Sequence, residues 1–286
     1  MIHFQFGNAK VNLYLPENSQ EETLPYFIRS FEGNALPDCR IEISIRPAEK
    51  APPSAVEIGR AFGLSQTKVC RKKLSSISAQ LEIFTIIPSA PNRSDRLSSI
   101  VVPAILYALS EFGIVPIHAS SVLFNGKAVL FAGRSGSGKS TIAERLSGEG
   151  FEFLSDDRIL LWKEEIEGKS IIKAVPSFEL QNPFTRFRLE FEKRKKSSRR
   201  RKAEFGKTAE LSRIIFVEVK PFEESQIYTL SRAPISALMA VSCGGYYQLD
   251  SLSILESSMG EEKFLGLTLG KNENKIFKEL VEVIRQ

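Results

Sequence analysis

The sequence is poor in residue types that define several protein classes. It has three cysteines and two histidines among 286 residues. Cys39, Cys70 and Cys243 are far apart, and no Cys-x-x-Cys pair is present. A disulfide framework and a Cys/His zinc site are therefore not indicated, and we expect the thiols to be buried or incidental.

Long hydrophobic runs are missing as well. No apolar stretch approaches the roughly 20 residues of a membrane-spanning helix, and the first residues lack the basic and apolar regions of a secretory signal. The sequence therefore predicts a cytoplasmic protein that makes no membrane contact. A hydrophobic content of 42% and a charged content of 26% are typical of a globular protein with a buried core.

The positive charge is concentrated in one segment. The formal net charge is +5, and residues 193–202 contain eight lysines and arginines and no acidic residue. Such a block predicts a solvated loop, and the alternatives are a docking surface for an acidic peptide or a nucleic-acid contact. The block has no aromatic side chain that could stack on bases, which argues against nucleic acid.

One motif organises the rest of the chain. Residues 133–140 match G-x-x-x-x-G-K-[ST], the loop that binds phosphates in nucleotide triphosphatases and kinases. The apolar run at 128–132 predicts a buried strand before the loop, and residues 141–146 predict a helix after it. The predicted nucleotide-binding residues are Gly133, Arg134, Ser135, Gly136, Ser137, Gly138, Lys139, Ser140 and Thr141.

The motif assigns a chemical role to two of these side chains. In such a loop Lys139 holds the β- and γ-phosphates of ATP, and Ser140 is a ligand of Mg²⁺. The glycines allow backbone N–H groups to converge on the phosphates, and the positive end of the helix dipole adds to the attraction. The alternative is a glycine-rich turn that binds nothing.

The segments beside the motif predict a hairpin and a second strand. Residues 117–124 and 127–131 flank Asn125-Gly126, a strong hairpin signal that leads directly into the loop. The helix is expected to end near residues 148–150, and residues 151–155 predict a strand that ends at Asp156 and Asp157. Carboxylates at that point can reach Mg²⁺ and an incoming nucleophile. The alternative is a pair of solvated aspartates in a turn.

Patterns elsewhere predict a β-rich N-terminal module and further elements after the motif. The module could be structural, or it could contact a macromolecular substrate or another subunit, so a homo-oligomer is compatible with the sequence. Alternation predicts strands at 2–6, 10–15, 40–45 and 81–87 in this module, and at 159–162, 170–175, 214–219 and 226–230 later. Helices are predicted at 97–112, 234–241 and 274–285.

Three segments in register resemble the bacterial HPr kinase/phosphorylase family. They are residues 117–119 (Ile-His-Ala) ahead of the hairpin, the loop at 133–140, and residues 154–157 (Leu-Ser-Asp-Asp). The resemblance covers residues 115–160 closely and the remainder loosely. It implies an α/β fold, with a P-loop kinase domain of the HPr kinase/phosphoenolpyruvate carboxykinase type over 98–286 and the smaller β-rich module over 1–97.

The resemblance also implies roles for individual residues. Asp157 matches the family's proton acceptor for the substrate serine hydroxyl, Asp156 would lie near the metal, and His118 matches a histidine of the active site. Glu179 is the candidate for the family's later metal-binding glutamate. The predicted catalytic set is thus Asp157, His118 and Lys139, and the predicted metal set is Ser140, Asp156 and Glu179.

The expected function is that of an ATP- and Mg²⁺-dependent kinase that phosphorylates a hydroxyl on a protein or peptide, and the expected acceptor residue is serine. Kinases that resemble this family also tailor ribosomally made peptides, lasso peptides among them, so the acceptor is either an HPr-like protein or such a peptide. Two alternatives remain open at this point. One is a kinase for a small-molecule hydroxyl, and the other is a nucleotide-binding regulator without turnover.

Overall fold

The structure is a computed structural model that describes residues 2–6, 9–14, 27–28, 37–57, 68–85, 104–176, 180–181, 207–230 and 263–286. The fold is mixed α/β and consists mostly of strands in several sheets. The chain divides into two compact units, residues 1–112 with 178–199 and residues 113–177 with 200–286. The domain boundary predicted after residue 97 lies outside the described residues.

The first unit is built on a six-stranded sheet. The strands before residue 86 are β1 (Ile2–Phe6), β2 (Ala9–Tyr14), β3 (Phe27–Ile28), β4 (Cys39–Pro47), β5 (Val56–Glu57), β6 (Lys68–Leu74) and β7 (Ser78–Thr85). All except β3 form the sheet, in the order β1-β2-β4-β7-β6-β5. Alternate residues of β2, β4 and β7 are buried, as the period of a half-buried strand requires. The strands predicted in this module are confirmed.

Strand β6 was not predicted from the sequence. Its residues include four lysines or arginines among seven, and these long polar side chains obscure the alternation that marks a strand. The buried Val69 lies opposite Ile83 in the antiparallel pairing with β7. Cross-strand pairing therefore supports a segment whose own pattern is weak.

Residues 104–110 form helix α1, and every one of them is buried. Its apolar side chains include Ile105, Leu106 and Leu109. The predicted buried helix is confirmed over this range, and residues 97–103 lie outside the described residues.

The second unit is built on a seven-stranded sheet. Its elements are β8 (Val115–Phe124), β9 (Lys127–Ala132), α2 (Lys139–Gly148), β10 (Glu152–Ile166), β11 (Lys169–Pro176), β13 (Ala209–Glu224), β14 (Gln226–Thr229), β15 (Phe264–Lys271) and α3 (Glu273–Arg285). The strand order is β11-β10-β8-β9-β13-β15-β14. Strands β9, β13 and β15 are parallel, so their carboxyl ends lie at the same edge. In the first unit, β12 (Leu180–Gln181) pairs with β3.

Both faces of this sheet carry hydrophobic core. One face includes Ile117, Leu130 and Leu161. On the other face, Val129 and Phe131 belong to a core that contains the apolar sides of α2 and α3. Helix α3 is amphipathic, as predicted, with the buried residues Ile276, Phe277, Leu280, Val281 and Ile284.

The hairpin predicted at Asn125-Gly126 is confirmed. Phe124 pairs with Lys127, and the two turn residues have φ angles of 50° and 76°. Positive φ at both central residues is the requirement of a type I′ turn, which Asn-Gly satisfies at low cost. The turn aligns β8 antiparallel to β9 and so fixes the register of the strand that enters the glycine loop.

The strand predicted to end at Asp156 and Asp157 does not end there. Strand β10 continues without a break from Glu152 to Ile166, and it includes the segment 159–162 that the pattern predicted as a separate strand. The two aspartates are compatible with the strand because they occupy register positions opposite Ser120 and Ala119 of β8. The irregularity in pairing falls earlier, between Phe153 and Ser155.

Several predicted features lie outside the described residues. They are the helix at 234–241, the basic segment at 193–202 and the candidate metal ligand Glu179. Strand β15, by contrast, is described but was not predicted. Within the described part of the chain, no helix has the length and apolar character needed to cross a membrane.

Candidate functional site

The glycine loop connects β9 to α2 at the edge where the parallel strands end. Gly136 and Gly138 have φ angles of 80° and 90°, in the left-handed region that glycine occupies without strain. At Gly133 the constraint is contact, since a Cβ would overlap the carbonyl oxygen of Val217 in β13. These three positions therefore require glycine for reasons of backbone geometry.

The loop closes around the side chain of Lys139. This residue is only 7% exposed, and its Nζ donates hydrogen bonds to the carbonyl oxygens of Gly133 at 3.0 Å and Arg134 at 2.8 Å. A buried ammonium is costly unless it is hydrogen-bonded or paired. These contacts hold the positive charge of Lys139 inside the loop.

Ser137 carries a buried hydroxyl for which the described residues supply no partner. The residue is 7% exposed, and its Oγ has no hydrogen-bond partner within the described part of the chain, although its backbone N–H donates to Arg134 O at 3.2 Å. An unsatisfied buried polar atom costs about 1–3 kcal/mol. The hydroxyl lies close to Gly133, because a Cβ on that glycine would be 2.8 Å from Ser137 Oγ. An orphaned donor in such a loop fits a bound anion.

A chain of three oxygen-bearing side chains lies beside the loop. Ser120 Oγ, on β8, donates to Asp156 Oδ1 at 2.7 Å and lies 3.5 Å from Ser140 Oγ in the first turn of α2. Ser120 is almost fully buried, at 1% exposure. The structure therefore brings together Ser140 and Asp156, both predicted as metal ligands, and inserts a serine between them.

Ser120 was not singled out by the sequence. Its role depends on the pairing of β8 with β10, in which Ser120 lies opposite Asp156. The signal that could have found it is its position two residues after His118. Residues separated by two in a strand share a face, so a motif residue at His118 marks Ser120 as a neighbour.

The other predicted catalytic residues, His118 and Asp157, lie on the paired strands β8 and β10. His118 is half-buried in β8 and lies opposite Arg158 of β10. Asp157 lies opposite Ala119, and its side chain is not among the described ones. Arg134, Ser135 and Thr141 are exposed around the loop.

The donor set is suited to Mg²⁺. This ion prefers oxygen ligands and is commonly bound by one or two carboxylates together with water and substrate phosphates. Ser140 and Asp156 supply such oxygens, and the neighbouring hydroxyl of Ser120 orients the carboxylate. Among the described residues there is no cluster of three or more histidine, cysteine or acidic side chains, the kind of set that a transition metal prefers.

A second polar cluster is centred on Glu218 of β13. This residue follows Val217, whose carbonyl oxygen approaches Gly133 of the glycine loop. Glu218 Oε1 accepts hydrogen bonds from Thr268 Oγ1 at 2.9 Å and Tyr228 OH at 3.4 Å, and it pairs with Lys220 Nζ at 3.1 Å. Desolvation alone would raise the pKa of Glu218. The hydrogen bonds from Lys220, Thr268 and Tyr228 outweigh it, so the pKa is lowered. The carboxylate is therefore ionised and ties β13, β14 and β15 together.

Strand β9 leads into the glycine loop around Lys139, and helix α2 follows the loop. Loops of this kind bind phosphate groups in such a strand–loop–helix arrangement. A family model described as "ScmC: SynChlorMet cassette protein ScmC" matches residues 91–180 of the chain. This segment contains the loop and the Ser120–Asp156 pair. The comparison with curated proteins gave no match.

Among solved structures, the chain is similar to the Hpr(Ser) kinase/phosphatase from Coxiella burnetii. The identity is 9% and the TM-score is 0.28, over 59% of this chain and 93% of that one. A likeness of this size establishes neither a shared fold nor a shared activity.

Proposed function

We propose that the protein is a phosphotransferase that binds ATP with Mg²⁺ at residues 133–141 and transfers the γ-phosphoryl group to a serine hydroxyl of a protein or peptide. The observation that carries the proposal is the position of Lys139, an ammonium held inside a glycine loop. The oxygen chain of Ser140, Ser120 and Asp156 lies directly beside this loop. The ammonium of Lys139, the backbone N–H donors of the loop and the oxygen ligands thus lie together near the N-terminus of α2.

Each part of the loop has a task in binding. The backbone N–H groups around Gly136 and Gly138 and the positive end of α2 attract the phosphates. Lys139, which the carbonyl oxygens of Gly133 and Arg134 hold inside the loop, donates charge-assisted hydrogen bonds to the phosphate oxygens. Ser137 gains a partner for its buried hydroxyl, for which the described residues supply none.

The transfer itself needs a base and a means of offsetting charge. Bound Mg²⁺ would neutralise charge on the phosphates, and Ser140 and Asp156 are the residues that would hold it. Asp157 takes the proton of the acceptor hydroxyl onto a carboxylate oxygen as the new bond from the serine oxygen to the γ-phosphorus forms. The bond between the γ-phosphorus and the β,γ-bridging oxygen breaks at the same time, and ADP leaves with that oxygen. His118 shares a strand face with Ser120 and is assigned to the same active site.

The acceptor is proposed as a serine on an HPr-like protein or a ribosomally made peptide. This part of the proposal rests on the motif residues at 117–119, 133–140 and 154–157. The basic segment at 193–202 suits an acceptor with acidic residues, since its eight positive charges would attract such a chain at low ionic strength.

The experiment is phosphoryl transfer from ATP labelled at the γ-phosphate, with Mg²⁺ and with HPr or short serine peptides as acceptors. Label on a serine is the expected result. Lys139→Met should abolish ATP binding, and Asp157→Asn should bind ATP but transfer no label. Unchanged transfer by Asp157→Asn would remove its assignment as the base.

Two further results would favour the other functions. Label on a small-molecule hydroxyl would indicate a metabolite kinase. Tight ATP binding without transfer to any acceptor would indicate a regulator.

A further inference from the structure

An apolar pocket opens beside the glycine loop within the second unit. Its volume is about 200 Å³, and its lining includes Gly136 and Gly138 of the loop and Thr141 of the first turn of α2. The remaining walls come from α2, β13, β15 and α3. The pocket therefore begins at the phosphate loop and extends into the core between the two helices.

The loop and the pocket wall are in direct contact. A Cβ on Gly138 would lie 3.0 Å from Leu269 Cδ1, and Leu269 of β15 lines the pocket. Gly138 is also the residue that precedes α2, where phosphate-binding N–H groups are concentrated. A group bound in the pocket would thus be adjacent to phosphates on the loop.

The chemistry of the lining selects the kind of group. The walls are mostly aliphatic and aromatic, with Val219, Leu269 and Phe277 among them, and the charged lining residues are Arg145 and Glu273. The Arg145 guanidinium lies 4.0 Å from the centre of the Phe277 ring, and its Nη2 donates to Asn274 Oδ1 at 3.2 Å. Arg145 is therefore engaged as a planar wall and is not a free anion site.

The size of the pocket limits its occupant further. Pockets for drug-sized ligands begin at roughly 300 Å³, so this pocket suits one flat ring system with part of a sugar. An aromatic base meets the requirement because it has apolar faces and polar edges. The exposed carboxylate of Glu273, at the start of α3, is an acceptor for amino or hydroxyl groups at the edge of such a ligand.

We infer that this pocket holds the nucleoside of the phosphate donor, and that the donor is a nucleoside triphosphate and not an inorganic polyphosphate. The inference rests on the proposed function, because it places the base next to phosphates bound at residues 133–141. Inorganic tripolyphosphate would occupy the loop but leave the pocket empty. The pocket thus supplies selectivity for the donor.

The test uses the full-length chain and measures the dissociation constants of Mg²⁺·ATP and of Mg²⁺·tripolyphosphate by calorimetry. Val219→Trp adds bulk at a pocket residue whose side chain is 48% exposed, so the strand can accept it. Phe222→Trp, at an 89% exposed position of the same strand and away from the pocket lining, is the matched control. Thermal unfolding of each variant checks that it is folded.

The expected result is that wild type binds ATP at least about tenfold more tightly than tripolyphosphate. Val219→Trp should remove most of this difference by weakening ATP alone, and Phe222→Trp should keep it. Equal affinities in wild type, or an unchanged ratio in a folded Val219→Trp variant, would overturn the inference and leave phosphate binding at the loop intact. Binding of neither ligand would overturn both this inference and the proposed function.

Discussion

Ser120 Oγ donates a 2.7 Å hydrogen bond to Asp156 Oδ1 while it lies 3.5 Å from Ser140 Oγ. A hydroxyl has one proton to donate, and the shorter distance shows that Ser120 donates it to the carboxylate of Asp156. Ser120 can then accept a hydrogen bond from Ser140. One buried hydroxyl thereby sets the distance between two residues on different elements.

Ser120→Ala is expected to weaken the binding of Mg²⁺ by the protein. Without its hydroxyl the Asp156 carboxylate loses its fixed orientation, and loss of such an orienting partner typically costs 10–100-fold in metal affinity. The measurement is the Mg²⁺ concentration for half-maximal ATP binding, which should rise by roughly tenfold or more. Ser120→Thr keeps the hydroxyl and should restore the wild-type value. An Ala variant with the wild-type Mg²⁺ dependence would show that Ser120 is only structural.

Two glycines of the loop should differ in their tolerance of alanine. At Gly133 a Cβ overlaps the backbone of Val217, so Gly133→Ala must displace β13 or the loop and should cost roughly 2–3 kcal/mol of unfolding free energy. At Gly136 the space is open and only the φ of 80° opposes a side chain, a cost of roughly 1–2 kcal/mol. Urea unfolding of both variants checks the order. Equal losses would mean that the approach of Val217 does not constrain the loop.

Glu218→Gln should destabilise the protein in a pH-dependent way. The pKa of Glu218 is lowered from its ordinary value of 4.5, so its ionised form is favoured in the folded state. Its contribution is present in full above about pH 4.5 and is lost as the pH falls through the lower pKa of the folded protein. The difference in unfolding free energy between wild type and variant should therefore shrink in acid.

The control for this measurement is Glu279→Gln, which removes one partner of an exposed pair with Lys275 at 3.8 Å. Exposed pairs of this kind contribute little, so the control should show almost no difference at any pH. A Glu218→Gln difference that stays constant from neutral pH to below pH 4 would refute the electrostatic account.

Cys39 should react slowly with thiol reagents in the folded protein. Burial, with a smaller contribution from the charge of Asp38, raises its pKa to about 12. The reactive thiolate is therefore scarce at pH 8, and the side chain is fully enclosed. Alkylation followed by mass spectrometry should show Cys70, which is half-buried, labelled before Cys39. Unfolding in guanidinium should make Cys39 reactive, and rapid labelling before unfolding would contradict the burial of this thiol.

The parts of the fold that the sequence predicted correctly depend on local chemistry. Asn125-Gly126 forms the expected turn because positive φ is easiest for these residues. Helix α3 follows from the spacing of its apolar residues, and α2 begins where the glycine loop ends. Each of these signals lies within a few residues of the structure that it specifies.

The parts that were missed depend on pairing across the sheet. The link from Ser120 to Asp156 requires the register of β8 against β10, which no local pattern contains. The continuation of β10 through two aspartates was missed because aspartate is usually found in turns. The pocket combines α2, β13 and the consecutive elements β15 and α3. These three parts of the chain are distant in sequence, so only the folded chain reveals the pocket.

The strand order of the second unit has a consequence for how the chain folds. Strands β8, β9, β10 and β11 form antiparallel pairs within residues 115–176, in the order β11-β10-β8-β9. Strand β9 also pairs with β13, where Ser212 Oγ donates to the carbonyl oxygen of Ala128 across 84 residues. Closing such a loop costs entropy before its contacts are made, which slows the step. We therefore expect residues 115–176 to assemble first, as an antiparallel sheet of four strands. The wall that Val217 forms against the glycine loop would be added later, so the loop would take its final shape only in the last stage of folding.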